Sequence, residues 1–282
     1  MIKKPKIGAH VSVAGGLHFI FENARAIGAE CAQIFGASPR QWRAKMPNSS
    51  EISKFKTVAK NSSVSPIFLH AAYLANLASS DKEILAKSIQ SLTDHLTIAA
   101  LIRAEGLIFH VGSSKGGNKK EALDEEVRAI KEILKKVPGQ TKLIMENTAG
   151  GGEKVGSLED ISYIYKKVQS PRLKICFDTA HAFESGLINE YAPQKIKNLF
   201  DEWDKAIGLE NLVALHVNDS KTKSGSNHDR HENIGEGEIG LAGFKNLAKE
   251  KRISGACWLL EVPGFDGNGP DRKNIDILKS CF

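Results

Sequence analysis

Six short apolar runs in the sequence end, or nearly end, in a residue that can ligate a metal ion or move a proton. PIFLH (66–70) closes on His70, LIFHV (107–111) carries His110, and KLIMEN (142–147) carries Glu146. LKICFD (173–178) closes on Asp178, LVALHVN (212–218) holds His216, and ACWLLEV (256–262) holds Glu261. One such residue after one apolar run is ordinarily a hydrogen-bonded rim or core side chain. Six in register are different, because gathering them about one axis sets carboxylates against each other and strips their hydration. A bound cation removes that penalty, so the pattern reads as a metal site. Two elements extend it. Asp178-Thr-Ala-His181 places two donors three residues apart where a strand gives way to its loop, and Asp229-Arg-His231 places two on one side of extended backbone. The nine donors are five histidines and four carboxylates. A zinc ion with one open position takes about three protein ligands, so they suit about three metals. Mixed imidazole and carboxylate ligation suits Zn²⁺ or Mn²⁺ better than Ca²⁺. Three divalent ions, four carboxylates and one bridging hydroxide leave a net charge of about +1, a cluster that attracts an anion and can deliver hydroxide to a phosphate ester.

These donors need a frame that brings strand ends together. Two further strand-length runs, KIGAHV (6–11) and CAQIFG (31–36), precede the six, giving eight. Helical patterns separate them. Residues 81–103 repeat Ile84, Leu85, Ile89, Leu92 and Leu96 behind a candidate N-cap, Asp81. Residues 119–136 repeat Leu123, Val127, Ile130 and Leu134, and Ser157 with Asp160 opens a third helix through Ile161, Ile164 and Val168. Strands alternating with helices predict an α/β protein, a (β/α)8 TIM barrel spanning 1–282 as a single domain with its site at the C-terminal face of the strands. No Gly-x-Gly-x-x-Gly follows the first strand and no linker divides the chain. The Gly-rich stretches 112–117, 150–152 and 235–240 each follow a strand, as active-site loops do.

The basic N-terminus lacks an apolar signal-peptide core, and no apolar run reaches the ~18 residues a membrane span needs. The cysteines Cys31, Cys176, Cys257 and Cys281 form no CxxC pair, and three lie in apolar runs. Buried thiols of this kind predict a reducing, cytoplasmic setting. Lys and Arg exceed Asp and Glu by 39 − 33, a net charge of +6 that favours a polyanionic partner such as nucleic acid.

Long motifs then carry a family resemblance. GAHVSVAGG near the start, FGASPRQWRAK (35–45), LHAAYLANLAS (69–79), MENTAGGG (145–152), CFDTAHAFESG (176–186), LHVNDSKTKSGSNHDRHENIGEGEIG (215–240) and LLEVPG (259–264) cover nearly the whole chain. With them the chain resembles endonuclease IV, the zinc-dependent apurinic/apyrimidinic endonuclease family. The resemblance implies three zinc ions. His70 and His110 would bind one, with Glu146 bridging to a second completed by Asp178, His216 and Glu261, while His181, Asp229 and His231 would bind the third. It implies a DNA repair endonuclease that flips an abasic nucleotide out of duplex DNA and cuts the phosphodiester 5′ to it, leaving a 3′-hydroxyl and a 5′-deoxyribose phosphate. Clearing of blocked 3′ ends is implied too. Glu146 would orient the bridging hydroxide, with Glu261 beside it in the catalytic group. Arg40, Tyr73 and Leu74 match residues that enter the duplex around the lesion.

Two positions depart from the family pattern. Val111 follows His110 where Pro is expected, and Ala71 follows His70 where a small acidic or polar residue is expected, which removes a candidate support for that histidine. His228 alternates away from Asp229 and is left out of the ligand set. His10 is expected to support the barrel mouth, and His18 and His95 fall in helical segments as structural or exposed residues. A monomer is the expected state. The competing reading is a metal-dependent sugar isomerase or epimerase on the same barrel, for which the Asp229-Arg-His231 element would be surplus.

Overall fold

The computed structural model describes residues 4–36, 38, 41–151 and 153–282. In chain order the first half contains β1 (Ile7–His10), α1 (Phe19–Ala26), β2 (Cys31–Phe35), α2 (Ser49–Lys60), β3 (Ile67–His70), α3 (Lys82–Ile102), β4 (Gly106–His110), α4 (Lys119–Lys136) and β5 (Lys142–Glu146). The second half adds α5 (Leu158–Val168), β6 (Leu173–Asp178), α6 (Thr179–Glu184), α7 (Pro193–Ile207), β7 (Leu212–His216), β8 (Asp219–Ser220), β9 (His231–Glu232), α8 (Gly240–Leu247), β10 (Cys257–Leu260) and α9 (Arg272–Lys279). Eight strands close into a parallel barrel in the order β1, β10, β7, β6, β5, β4, β3, β2, and β8 pairs with β9 in a separate hairpin. Seven of the eight predicted runs contain one barrel strand, and the eighth, 107–111, overlaps β4, which starts one residue earlier at Gly106. The predicted helix starts also hold. The Asp81 carboxylate accepts the Glu83 and Ile84 N–H groups, and Ser157 and Asp160 cap each other's backbone. Loss of such a cap costs about 0.5–2 kcal/mol.

Parallel strands covered on both faces are apolar on both, and this organises the core. Outward-facing residues such as Ala9, Ile34, Leu69, Phe109, Met145, Phe177 and Leu260 pack against the helices. Inside the barrel, Cys31, Phe68, Ile108, Ile144, Cys176, Ala214, Cys257 and Leu259 form a separate apolar plug. At the corresponding place on β1 stands Gly8, where a Cβ would lie 1.9 Å from the Cys31 carbonyl oxygen. Side chains alternate along a strand, so the next inward residue is two positions further on. Above the plug that rule delivers His10, Gln33, His70, His110, Glu146, Asp178 and His216 from seven barrel strands, and Glu261 one residue beyond β10.

Two connections differ from the expected loops. Asp178 is followed by a short helix, α6, of which it is the N-cap, its Oδ1 accepting the His181 N–H at 2.8 Å. The segment between β7 and α8 has little regular structure beyond its hairpin and is folded around two buried carboxylates. Asp219 accepts N–H groups from Ser220, Gly235, Gly237 and Ile239 at 2.8–3.1 Å. Glu184 Oε1 accepts the Ser220 hydroxyl at 2.7 Å and the Arg230 N–H at 3.1 Å. Together they fix the course of the chain through Asp229 and His231. Among the described residues no helix is long and apolar enough to cross a membrane.

Candidate metal centre

Glu146 lies at the centre of the inward polar layer and is fully buried. His70 Nε2 and His110 Nε2 each lie 3.3 Å from its Oε2, while His216 Nδ1 and His181 Nδ1 lie 3.0 and 3.2 Å from its Oε1. Register explains the pairing, since His110 is level with Glu146 across β4–β5 and Asp178 is level with His216 across β6–β7. Glu146, Asp178, His216 and Glu261 form one group whose donor atoms all lie within 4.8 Å of one another. Asp178, His181 and His231 form another, and Asp229 adds its oxygens at 3.3 Å from His181 Nε2 and 3.6 Å from His231 Nε2. His70 with His216, and His110 with His181, make two further groups through Glu146. All nine predicted donors thus meet at one mouth, with Asp178 facing two groups at once.

The hydrogen bonds show whether this set suits a cation. A carbonyl oxygen can only accept, so the imidazole nitrogen beside it carries the proton. His70 Nδ1 donates to the Ala71 carbonyl at 2.8 Å and His181 Nδ1 to the Asn147 carbonyl at 2.9 Å; His231 Nδ1 approaches the Glu261 carbonyl at 3.4 Å. Their Nε2 lone pairs therefore point at carboxylate oxygens. The Nε2 atoms of His181 and His231 are buried without a hydrogen-bond partner among the described residues. Lone pairs facing anionic oxygens repel unless a cation stands between them, and this pattern of back-bonded imidazoles is how protein ligands are held toward a metal. A proton is the other way to relieve the repulsion. Burial lowers the affinity of His181 and His216 for it. Asp178 and Asp229 around His181, and Cys176, Glu261 and Glu146 around His216, still raise both well above the usual imidazole range. Burial would raise Glu146, yet His216 and His110 hold it well below the usual carboxylate range. The donor set fits divalent cations.

Comparison with known proteins decides the family. The chain matches the xylose isomerase-like TIM barrel family over residues 21–281. It is 35% identical over 276 residues to a probable endonuclease 4 of Halothermothrix orenii, covering 97% of this chain and 99% of that one. It is 38% identical over 261 residues to a probable endonuclease 4 of Campylobacter concisus, covering 91% and 92%. The crystal structure of endonuclease IV from Thermus thermophilus superposes with a TM-score of 0.85 at 32% identity, covering 98% of each chain. The chain belongs to the endonuclease 4 family. It is therefore a hydrolase of the nuclease class. A D-tagatose 3-epimerase-like protein superposes with a TM-score of 0.74 at 20% identity and shares the fold alone.

Other residues of the endonuclease 4 motifs fall around the same mouth. Tyr73 and Leu74, just beyond β3, are 65% and 39% exposed. The Tyr73 ring stands edge-on to Phe35 at 5.4 Å and lies 6.0 Å from His70. Arg40 lies outside the described residues. Ala71 supports His70 after all, through its backbone carbonyl, and Val111 is buried in the outer core. His10 Nδ1 approaches Glu261 Oε1 at 3.4 Å, whereas His228 is exposed. His95 is buried in α3 against its own backbone, and His18 stands half-buried at the N-cap position of α1. Sequence reasoning passed over Gln33. Its amide Nε2 donates to Glu261 Oε1 at 2.6 Å, and its Oε1 lies 2.8 Å from His216 Nε2. The signal was its parity with Cys31, two residues earlier on the inward face of β2.

Proposed function

We propose that this chain hydrolyses the phosphodiester bond 5′ to abasic sites in duplex DNA, leaving a 3′-hydroxyl and a 5′-deoxyribose phosphate, and that the same site clears blocked 3′ ends. The observation that carries the reading is the family membership joined to Glu146, a buried carboxylate shared by four imidazoles. His70, His110 and Glu146 would hold one zinc ion, and Glu146, Asp178, His216 and Glu261 a second. His181, Asp229 and His231 would hold the third, giving three per chain, with Mn²⁺ as an alternative occupant. When bound, such ions supply positive charge to the phosphate and its leaving oxygen and acidify water.

The chain's own residues do the rest. Glu146, with one oxygen toward His70 and His110 and the other toward His181 and His216, orients the attacking water. Glu261 faces it from the Gln33 side. Water oxygen bonds to phosphorus as the bond to the 3′-oxygen breaks, and that oxygen leaves as the 3′-hydroxyl. Tyr73 and Leu74, with Arg40, enter the duplex and restore stacking where the abasic nucleotide swings out. The net charge of +6 draws the polyanion in. Four free cysteines suit a reducing cytoplasm, and a monomer suffices, since one chain carries every donor.

A duplex carrying one tetrahydrofuran abasic analogue and an end label tests the reading. Incision 5′ to the analogue with a 3′-hydroxyl product is expected, because hydrolysis needs no C1′ aldehyde. An intact duplex together with conversion of an aldose would establish the sugar isomerase instead.

A further inference from the structure

Gln33 touches two members of the donor layer with one amide. The residue is fully buried on β2. Its Nε2 lies 2.6 Å from Glu261 Oε1 and 3.0 Å from His10 Nδ1, and its Oε1 lies 2.8 Å from His216 Nε2. A carboxylate only accepts, so the amide NH₂ must face Glu261. The amide oxygen also only accepts, so His216 must carry its proton on Nε2. The Nδ1 lone pair of His216 is thereby directed at Glu146 Oε1 at 3.0 Å, Glu261 Oε2 at 3.3 Å and Asp178 Oδ2 at 3.9 Å.

We propose that Gln33 is a positioning residue of the metal centre: one neutral amide fixes the His216 tautomer and anchors the Glu261 carboxylate, so that both stay aimed at the cation held with Glu146 and Asp178. The proposal rests on the reading of those four residues as ligands. It ties β2, which contributes no donor of its own, to β7 and β10. No other side chain of this length serves. Glutamate would set a second carboxylate against Glu261, and methionine offers no donor and only a weak thioether acceptor. Supports of this kind act on metal affinity, typically by about 10–100-fold.

The test uses the zinc-loaded full chain as wild type, Gln33→Met and Gln33→Glu, read by chelator competition and by imidazole ¹⁵N resonances. In Gln33→Met one zinc ion should leave at a chelator concentration about 10–100-fold lower than in wild type. The remaining ions should leave as in wild type, and the His216 signature of metal on Nδ1 with hydrogen on Nε2 should be lost. Gln33→Glu keeps an acceptor for His216 Nε2–H, so it should retain that signature while still weakening the same ion through Glu261. Met and Glu are alike in length, so a packing role would move both together and leave the His216 tautomer untouched. Wild-type affinity and wild-type His216 resonances in Gln33→Met would overturn the role of Gln33 and leave the ligand reading standing. If Gln33→Met does not fold, wild-type zinc retention in Gln33→Glu overturns the role instead. A wild-type chain that takes up no zinc would overturn both.

Discussion

Glu126, on the inward face of α4, is predicted to weaken this fold at neutral pH. The residue is fully buried, and among the described residues neither carboxylate oxygen has a hydrogen-bond partner. Burial, with the charge of Asp160 on α5 adding to it, raises its pKa well above the usual carboxylate range. Asp160 itself is paired with Lys119 at 2.9 Å, so that lysine is already committed. Between the two pKa values the unfolded chain has released a proton that the folded chain keeps, and above both the folded chain carries a buried, unpartnered charge. Each unit of difference then subtracts about 1.4 kcal/mol from stability. An unpartnered buried polar group costs about 1–3 kcal/mol by mutational measures. Methionine has similar length, suits a helix and adapts to an irregular core. Glu126→Met should therefore stabilise the fold by about 1–3 kcal/mol at pH 7, or roughly 2–4 °C in Tm per kcal/mol. The sign with pH follows from a raised folded pKa. Wild type holds its full stability, relative to the variant, below the unfolded pKa of about 4.3 and loses it as pH rises through the folded value. Thermal unfolding by circular dichroism from pH 4 to pH 8 on both proteins measures the gap, and the shared metal centre cancels in the comparison. A gap that stays constant across that range, or a variant less stable at pH 8, would refute the argument.

Three other substitutions probe the site and its frame. Glu146→Gln should fold and bind an abasic duplex yet cut it roughly 10²–10⁴-fold more slowly in single-turnover incision, and near-normal cutting would remove Glu146 from its role. Tyr73→Ala, by loss of a stacking ring, should weaken abasic-duplex binding by about 1–3 kcal/mol, or roughly 5–150-fold. An equal loss on undamaged duplex would contradict a role at the lesion. Asp219→Ala leaves five backbone N–H groups without their acceptor. It should cost at least about 1–3 kcal/mol in urea unfolding, with faster proteolysis within 221–240, and unaltered cleavage there would contradict its part in holding Asp229 and His231.

The barrel was legible because parallel strands buried on both faces read as unbroken apolar runs, and because Asp81 and Ser157 announce their helices by side-chain chemistry. The same runs exposed the donors, since a titratable residue after Ile-Phe-Leu or Leu-Ile-Met is conspicuous. Gln33 was not conspicuous. An amide inside CAQIFG resembles any polar residue, and only its inward parity with Cys31 and the plug below sets it apart. The Asp178–His181 spacing suggested a loop because six residues are too few to show helical periodicity, yet Asp178 caps α6. The segment from Asp219 to Gly240 offered no periodicity either. Its shape depends on Asp219 and Glu184 accepting backbone N–H groups far along the chain, and a local pattern does not encode such contacts. Asp229 and His231 were found by their i, i+2 spacing, and their side chains do meet, at 3.6 Å.

The most direct test of the account is incision of the tetrahydrofuran duplex by one preparation before chelation, after a strong chelator has removed its metal, and after zinc is returned, with bound metal counted at each stage. About three zinc ions per chain are expected at the start, in line with the nine donors and the three ligands an open zinc site takes. Incision should be lost on stripping and regained on zinc return. Full incision by the metal-free chain, or a content of one ion or none in the active protein, would contradict it.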